Sequence, residues 1–264
     1  MELWWVFLPI GVVVGFLAGL LGIGGGMILV PILAYVFSAN RFPAEHIMHM
    51  SLATAMATIP FTSVSSVRAH QARGGVDWPI LKGMLPGLLG GALLATLIAG
   101  AIPGRPLAIF FVVFILYAAT SMLFDLTPKA TRALPGRAGL ALAGAVVSFL
   151  ASFVAAGAAL MTIPFMSWCK VPLRRAVGTA AAIGFPLSVA ASIGFAISGA
   201  AAGGLPAYSL GFIYLPALAM MVLTSVLVAP LGARVSQRMP VKQLRIVFGL
   251  TLYAVAIRML VSLW

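Results

Sequence analysis

Residues 15–33, GFLAGLLGIGGGMILVPIL, decide the fold, because a second stretch aligns with them without a gap. That second copy is residues 148–166, SFLASFVAAGAALMTIPFM, and both copies carry small residues in the middle and a proline near the end. A later pair of segments, residues 103–123 and 240–260, repeats in the same order. Duplication therefore covers nearly the whole chain, a pattern typical of membrane proteins built from two inverted halves.

Composition places this chain in a membrane. Hydrophobic residues make up 62% of the 264 residues and charged residues only 8%, whereas a soluble domain carries about 25% charged residues. The net charge of +12 does not indicate a nucleic-acid partner, because the Lys and Arg residues lie in short loops between apolar segments, where they set orientation. Cys169 is the single cysteine, so we expect no disulfide within the chain and no multi-cysteine metal site. The spacing of His46 and His49 permits metal binding, but two histidines without further ligands are weak evidence, and we expect no metal and no cofactor.

Hydropathy divides the chain into eight apolar blocks. They are residues 3–37, 46–67, 78–100, 107–124, 139–169, 176–198, 206–230 and 244–264. The first and fifth are too long for one ordinary span, and each carries the duplicated motif near its middle. Each is therefore either one tilted helix or a broken pair of limbs that turns back.

The distribution of basic residues favours limbs that turn back. If all eight blocks cross the membrane once, nine Lys and Arg residues lie on one side and seven on the other. If the first and fifth blocks turn back, thirteen collect on one face, and only Arg41, Arg105 and Arg258 lie opposite. Cytoplasmic loops are enriched in Lys and Arg, so we place the richer face in the cytoplasm and both termini outside.

The predicted fold class is therefore an all-α polytopic membrane protein made of two inverted repeats. Residues 1–130 form the first repeat and residues 131–264 the second, within one integral membrane domain. Each repeat is predicted to contain a broken re-entrant helix pair followed by three transmembrane helices.

The motif GLLGIGGG at residues 19–26, followed by Pro31 and by a second copy ending at Pro164, resembles the TauE/SafE family of sulfite-exporter-like permeases. The resemblance runs across both halves of the chain. It implies a multi-pass anion permease of the bacterial inner membrane, in a family whose members are linked to sulfite, sulfonates and other small anions. The second copy departs from the first by keeping a single glycine within residues 155–159.

The duplicated motif is also the predicted substrate site. A chain that turns at residues 22–26 would aim the free N–H groups and the positive dipole end of the next limb into the membrane interior, where an anion can bind. The candidate residues are Gly24, Gly25 and Gly26 in the first half and Gly157, Ala158 and Ala159 in the second. Close helix packing through small residues explains the same pattern equally well.

Three further groups of side chains are candidates. Thr54 and its aligned counterpart Thr179 could line an anion path, although bonding to neighbouring backbone would explain each hydroxyl as well. His46 and His49 lie one turn apart, where protonation could couple to transport; a hydrated helix end is the duller alternative. Arg258 could attract substrate toward an outer vestibule, or simply reach the membrane surface.

The leading hypothesis is a secondary transporter for a small anion, with export of sulfite or an organosulfonate by alternating access. A permease for a carboxylate or phosphonate is the alternative within that class. An intramembrane enzyme or a membrane assembly factor is the alternative outside it. We do not expect this protein to be an enzyme, because the sequence offers no paired carboxylates, no metal-ligand set and no recognisable arrangement of Ser and His. The expected partners are the anion and membrane lipid, not nucleic acid, and a homodimer is left open.

Overall fold

The computed structural model describes residues 4–21, 25–72, 74–124, 131–156, 158–236 and 241–262. The described chain is helical nearly throughout. A short 3₁₀ helix, Trp4–Val6, is followed by helices α1 (Phe7–Leu21), α2 (Gly26–Ala39), α3 (Ile47–Gln71), α4 (Trp78–Ala101), α5 (Gly104–Leu123), α6 (Arg137–Phe153), α7 (Ala159–Trp168), α8 (Leu173–Ala200), α9 (Leu215–Ser236) and α10 (Val241–Ser262). Between α8 and α9, strands β1 (Ser209–Leu210) and β2 (Ile213–Tyr214) form an antiparallel hairpin.

The first and fifth apolar blocks are each broken into two helices at equivalent places in the duplicated motif. Gly26 begins α2 and Ala159 begins α7, and these residues align. The second limbs also end alike, because Arg41 and Lys170 both have positive φ. The N–H of the following residue then bonds back to the carbonyl five residues earlier, Phe42 to Phe37 and Val171 to Met166. This is the usual left-handed C-terminal cap of a helix.

Both broken pairs turn back on themselves. The ring of Phe7, at the start of α1, lies 6.3 Å from the ring of Phe37 near the end of α2. In the second half, the backbone N–H groups of Thr131 and Arg132, shortly before α6, donate to the carbonyl of Trp168 at the end of α7. Each pair therefore begins and ends at the same end of the bundle, which excludes a single tilted span.

Helices α3 and α4 run antiparallel. At one end, Nε2 of His49, near the start of α3, lies 2.9 Å from the carbonyl oxygen of Ile102, directly after α4. At the other end, the indole N–H of Trp78, the first residue of α4, donates to the side chain of Gln71, the last residue of α3. The short connection between them thus reverses the chain.

Helix α8, the counterpart of α3, runs in the direction of α4 and so opposite to α3. A Cβ on Gly178, near the start of α8, would meet the carbonyl of Gly75, just before α4. A Cβ on Gly100, near the end of α4, would meet the side chain of Ser198, near the end of α8. The glycines let these two helices approach closely along their length.

Two further pairs of helices run parallel, and each pair joins the two halves. Gly15 and Gly19 of α1 pack against Ser225 and Ala229 of α9 in register. The same holds for α4 and α6, which meet through Gly83 with Leu140, Gly144 with Met84, and Gly91 with Ala145. The first helix of each half therefore lies along the fourth helix of the other.

The bundle has two chemically different ends. At one end, here called the aromatic end, the rings of Phe7, Phe37, Phe42 and Tyr214 pack together. Among the described basic residues, Arg41, Arg105 and Arg258 lie at this end, whereas Arg68, Lys82, Arg132, Arg137, Lys170, Arg174, Arg175 and Arg234 lie at the opposite, basic end. The described residues thus show the uneven distribution that the sequence predicted.

Five of the described helices are long and apolar enough to cross a membrane: Ile47–Arg68, Trp78–Ala101, Gly104–Leu123, Leu173–Ala200 and Leu215–Gly232. The apolar part of α10, Ile246–Val261, is shorter. The seventh block, predicted from residue 206, begins its helix only at Leu215. Residues 209–214 form the hairpin instead, and Tyr208 and Gly211 adopt positive φ, which a helix does not allow.

Candidate functional site

The two helix breaks meet inside the bundle. Gly26, the first residue of α2, packs so tightly on the carbonyl oxygen of Ala155 in the second break that any side chain at Gly26 would collide with it. Gly26 and Ala155 are both buried. The breaks are also locally unusual, since Gly25 has a φ of +64° and Ala155 a φ of +44°. For a non-glycine residue such a conformation is uncommon and costs energy.

From this junction the two second limbs run in opposite directions. Helix α2 leads to the aromatic end and α7 to the basic end, so their N-termini are opposed. The carbonyl of Gly25 accepts from Ile28 and Leu29, and that of Ala158 accepts from Met161 and Thr162. The first-turn N–H groups of a helix have no acceptor within the helix, and they carry its positive dipole end. Two such ends in one buried region repel each other unless a negative or polar group lies between them.

The predicted glycine and alanine site is therefore brought together in part. Gly26 contacts the second break directly, and Gly25, Ala158 and Ala159 are buried beside the starts of their helices. Gly24 and Gly157 lie outside the described residues. Binding of an anion by these residues stays a prediction, while the close contact at Gly26 shows that packing also requires a residue without a side chain there.

Thr54 and Thr179 are fully buried, and their hydroxyl oxygens have an equivalent partner. The oxygen of Thr54 accepts the backbone N–H of Tyr214 at 3.1 Å. The oxygen of Thr179 accepts the backbone N–H of Asp77 at 2.8 Å. Each donor is the residue immediately before the fourth helix of the other half. Each hydroxyl thus fixes the backbone of the residue that precedes a helix. Contact of Thr54 and Thr179 with substrate stays a prediction.

His46 and His49 lie at the aromatic end, but only His46 fits a partly hydrated helix end. His49 is 3% exposed, and its Nε2 lies 3.1 Å from the carbonyl of Ala99 and 2.9 Å from that of Ile102. Its ring stacks on Phe212 with centroids 4.9 Å apart. His49 therefore joins α3 to the end of α4 and to the hairpin, and the hydrated alternative is wrong for it.

Arg258 lines a cavity of about 300 Å³ at the aromatic end. Its guanidinium carbon lies 5.6 Å from the ring centroid of Tyr35, a cation–π distance. Arg105 and Ser38 also line the cavity, and its remaining walls are mostly apolar. The two guanidinium groups give this cavity a positive charge that attracts anions.

Comparison with known proteins decides the family. The profile of the sulfite exporter TauE/SafE family matches residues 7–259, which is nearly the whole chain. The chain belongs to the TauE/SafE family. It is 30% identical, over 96% of each chain, to a probable membrane transporter protein of Haemophilus influenzae. It is 26% identical to a probable membrane transporter protein of Methanocaldococcus jannaschii, over 97% of this chain and 96% of that one. No solved structure matches it.

Membership of the TauE/SafE family makes this protein a membrane permease or transporter. Two structural features of the candidate site in this TauE/SafE chain were missed in the sequence. Ala155 aligns with Gly22, which signals a backbone position suited to positive φ. Asp77, which caps α4 by accepting from the N–H of Ile80, carries the ordinary signal of a helix start before Trp78-Pro79. Its bond to Thr179, 102 residues away, has no local signal.

Proposed function

We propose that this protein is a secondary transporter that moves a small anion across the bacterial inner membrane, with sulfite or an organosulfonate as substrate and export as the direction. The observation that carries the proposal is the contact of the two buried helix breaks at Gly26 and Ala155, from which α2 and α7 begin and run in opposite directions. Family membership supports the class of function, and the site chemistry supports the charge of the substrate.

A tetrahedral or pyramidal oxyanion suits such a junction. Its several oxygens can accept N–H groups from both α2 and α7, and its negative charge offsets the two positive dipole ends. Neutral amides also let a charge enter and leave the membrane interior without a buried Lys or Arg, which would be costly there. A small carboxylate or phosphonate would satisfy the same donors and is the alternative substrate.

Transport by alternating access requires two halves that can expose the site to one side and then the other. The opposite directions of α3 and α8 support an inverted arrangement, as does the return of α1–α2 and α6–α7 to opposite ends. We infer that the basic end faces the cytoplasm, since Lys and Arg are enriched on that side. The aromatic end, with Arg105 and Arg258, then faces outward.

Flux of radiolabelled sulfite through proteoliposomes tests the proposal. The purified protein should give saturable flux that an excess of an alkanesulfonate reduces, and empty liposomes should not. Gly90→Ala should give the same flux as the parent protein, because a Cβ at Gly90 meets nothing within 4 Å. Saturable flux of a carboxylate with none of sulfite or sulfonate would replace the proposed substrate, and an absence of flux for all these anions would contradict transport of small anions.

Arg258→Gln should weaken the capture of substrate from the aromatic end when the transporter is driven inward, in reverse of the proposed export. The positive charge of Arg258 raises the local concentration of anions at the opening, but Arg258 is not part of the inner site. We therefore expect the apparent KM for substrate supplied outside right-side-out vesicles to rise several-fold with kcat unchanged, and the difference to shrink in high salt. Arg137→Gln, at the basic end, should leave this KM unaltered. An unchanged KM in Arg258→Gln would remove this arginine from the entry path.

A further inference from the structure

The two buried threonine bonds form a matched pair. Thr54 and Thr179 occupy equivalent positions in α3 and α8, and each accepts the backbone N–H of the residue that precedes a fourth helix. Tyr214 precedes α9 in the second half, and Asp77 precedes α4 in the first. Each hydrogen bond therefore crosses from one half of the chain to the other, and the two crossings are reciprocal.

The two bonds lie toward opposite ends of the bundle. Thr54 is seven residues into α3, which begins at the aromatic end, and Thr179 is six residues into α8, which begins at the basic end. The surroundings of Thr54 include the hairpin, whose Phe212 is buried against His49.

Closure at the basic end has its own features. Asp77 lies 4.0 Å from the guanidinium group of Arg175 in α8. The glycines Gly75 and Gly178 allow the backbones of the two halves to touch there. Different side chains thus surround the equivalent hydrogen bonds at the two ends of the bundle.

We propose that Thr54 and Thr179 are the two gate residues of the transport cycle, which hold the outer and the inner gate shut through Tyr214 and Asp77. This inference rests on the alternating-access function proposed above. Both bonds are formed in this structure, so it is the occluded state, in which neither side reaches the site. In each open state one bond is broken and the other is kept.

Threonine suits this role. A buried N–H at a helix entrance needs an acceptor, and a neutral hydroxyl supplies one without a charge that would have to be desolvated at every closure. A single neutral hydrogen bond is also weak enough, net of water, to be exchanged for a bond to water when the gate opens. A gate made in this way can open on each turnover.

Replacement of each threonine by valine tests the pair, because valine keeps the shape and removes the acceptor. Ser51 and Ala176 provide matched reporters, since each is fully buried and lies three residues before its threonine on the same helix. Ser51→Cys and Ala176→Cys are placed separately in a Cys169→Ser background and labelled with a membrane-impermeant maleimide applied from either side.

We expect opposite results from the two variants. Thr54→Val should raise outside labelling of Ser51→Cys several-fold and should not raise inside labelling of Ala176→Cys. Thr179→Val should raise inside labelling of Ala176→Cys several-fold and should not raise outside labelling of Ser51→Cys. The matched controls are Thr58→Val and Ser188→Ala, whose hydroxyls donate only to carbonyls of their own helices; they should change neither reporter. Thr54→Ser and Thr179→Ser keep the hydroxyl and should label like the parent protein.

The gate assignment would be overturned if Thr54→Val and Thr179→Val changed the labelling of both reporters in the same direction or changed neither. It would also be overturned if they labelled like Thr58→Val. The labelling needs no substrate, so it is independent of which anion is carried. Opposite labelling without sulfite flux would uphold the gates and reject the proposed substrate. Sulfite flux without opposite labelling would uphold the transporter and reject the gates.

Discussion

Gly26→Ala is expected to abolish high-affinity anion binding. The new Cβ would collide with the carbonyl oxygen of Ala155, so the two helix breaks must move apart. The opposed N-termini would then no longer converge on one ligand, and a loss of about 1.4 kcal/mol or more corresponds to at least a tenfold rise in Kd. Binding of labelled sulfite to the purified protein gives the Kd. Thermal unfolding, measured in parallel, gives the change in stability.

Gly144→Ala is the matched control for this prediction. Its Cβ would collide with the carbonyl oxygen of Met84 between α6 and α4, away from the breaks. A collision of the same kind should lower stability in a similar way, yet it should leave the Kd for the anion close to that of the parent protein. Equal loss of binding in Gly26→Ala and Gly144→Ala would mean that binding reports general packing and not the junction.

Ala155→Val should be the most destabilising single substitution at the second break. Ala155 is buried and has a φ of +44°, a conformation that is a genuine outlier for a β-branched residue. The parent alanine already carries the ordinary strain of this conformation, so the substitution adds overpacking of about 1–3 kcal/mol and the further strain of a β-branched side chain. We therefore expect a clear fall in the temperature of unfolding in detergent and a loss of transport.

Two companion variants separate backbone strain from side-chain size. Ala155→Gly accepts the positive φ, so its stability should stay within about 1 kcal/mol of the parent. Ala151→Val adds the same side chain at another buried position, but within helix α6; it should cost less than Ala155→Val. If Ala151→Val proved as harmful as Ala155→Val, the conformation of the second break would not be what limits this position.

The main architecture could be predicted because it depends on patterns within short segments. The duplicated motif located both helix breaks, and the uneven distribution of Lys and Arg favoured limbs that turn back. The contact of Phe7 with Phe37 and the bonds to Trp168 agree with that prediction. Family membership, inferred from residues 19–26 and their second copy, is confirmed across residues 7–259.

The partners of the candidate side chains could not be predicted, because they lie far away in sequence. Thr54 bonds to a residue 160 positions later, and Thr179 to one 102 positions earlier. His49 looked like a hydrated helix end, since nothing near it in sequence indicates that Phe212 covers its ring. The hairpin at residues 209–214 could not be told from a helix, because its apolar composition continues into α9.

The junction of the breaks links the two readings of the small-residue motif. Glycine at position 26 is required by the close approach to Ala155, so packing is part of its role. That same approach brings two helix N-termini into one buried region, where an anion is the natural complement. Packing and the proposed binding would therefore both follow from one arrangement, and the variants above are chosen to separate them.

The central claim is that each broken helix pair leaves the membrane on the face where it entered, so that the two breaks meet in the interior. Single cysteines in a Cys169→Ser background test it most directly, with an impermeant maleimide applied from each side. Trp5→Cys, before α1, and Asn40→Cys, after α2, should react from the same side, and Leu134→Cys, before α6, and Lys170→Cys, after α7, should both react from the other. Labelling of Trp5→Cys and Asn40→Cys from opposite sides would contradict the account.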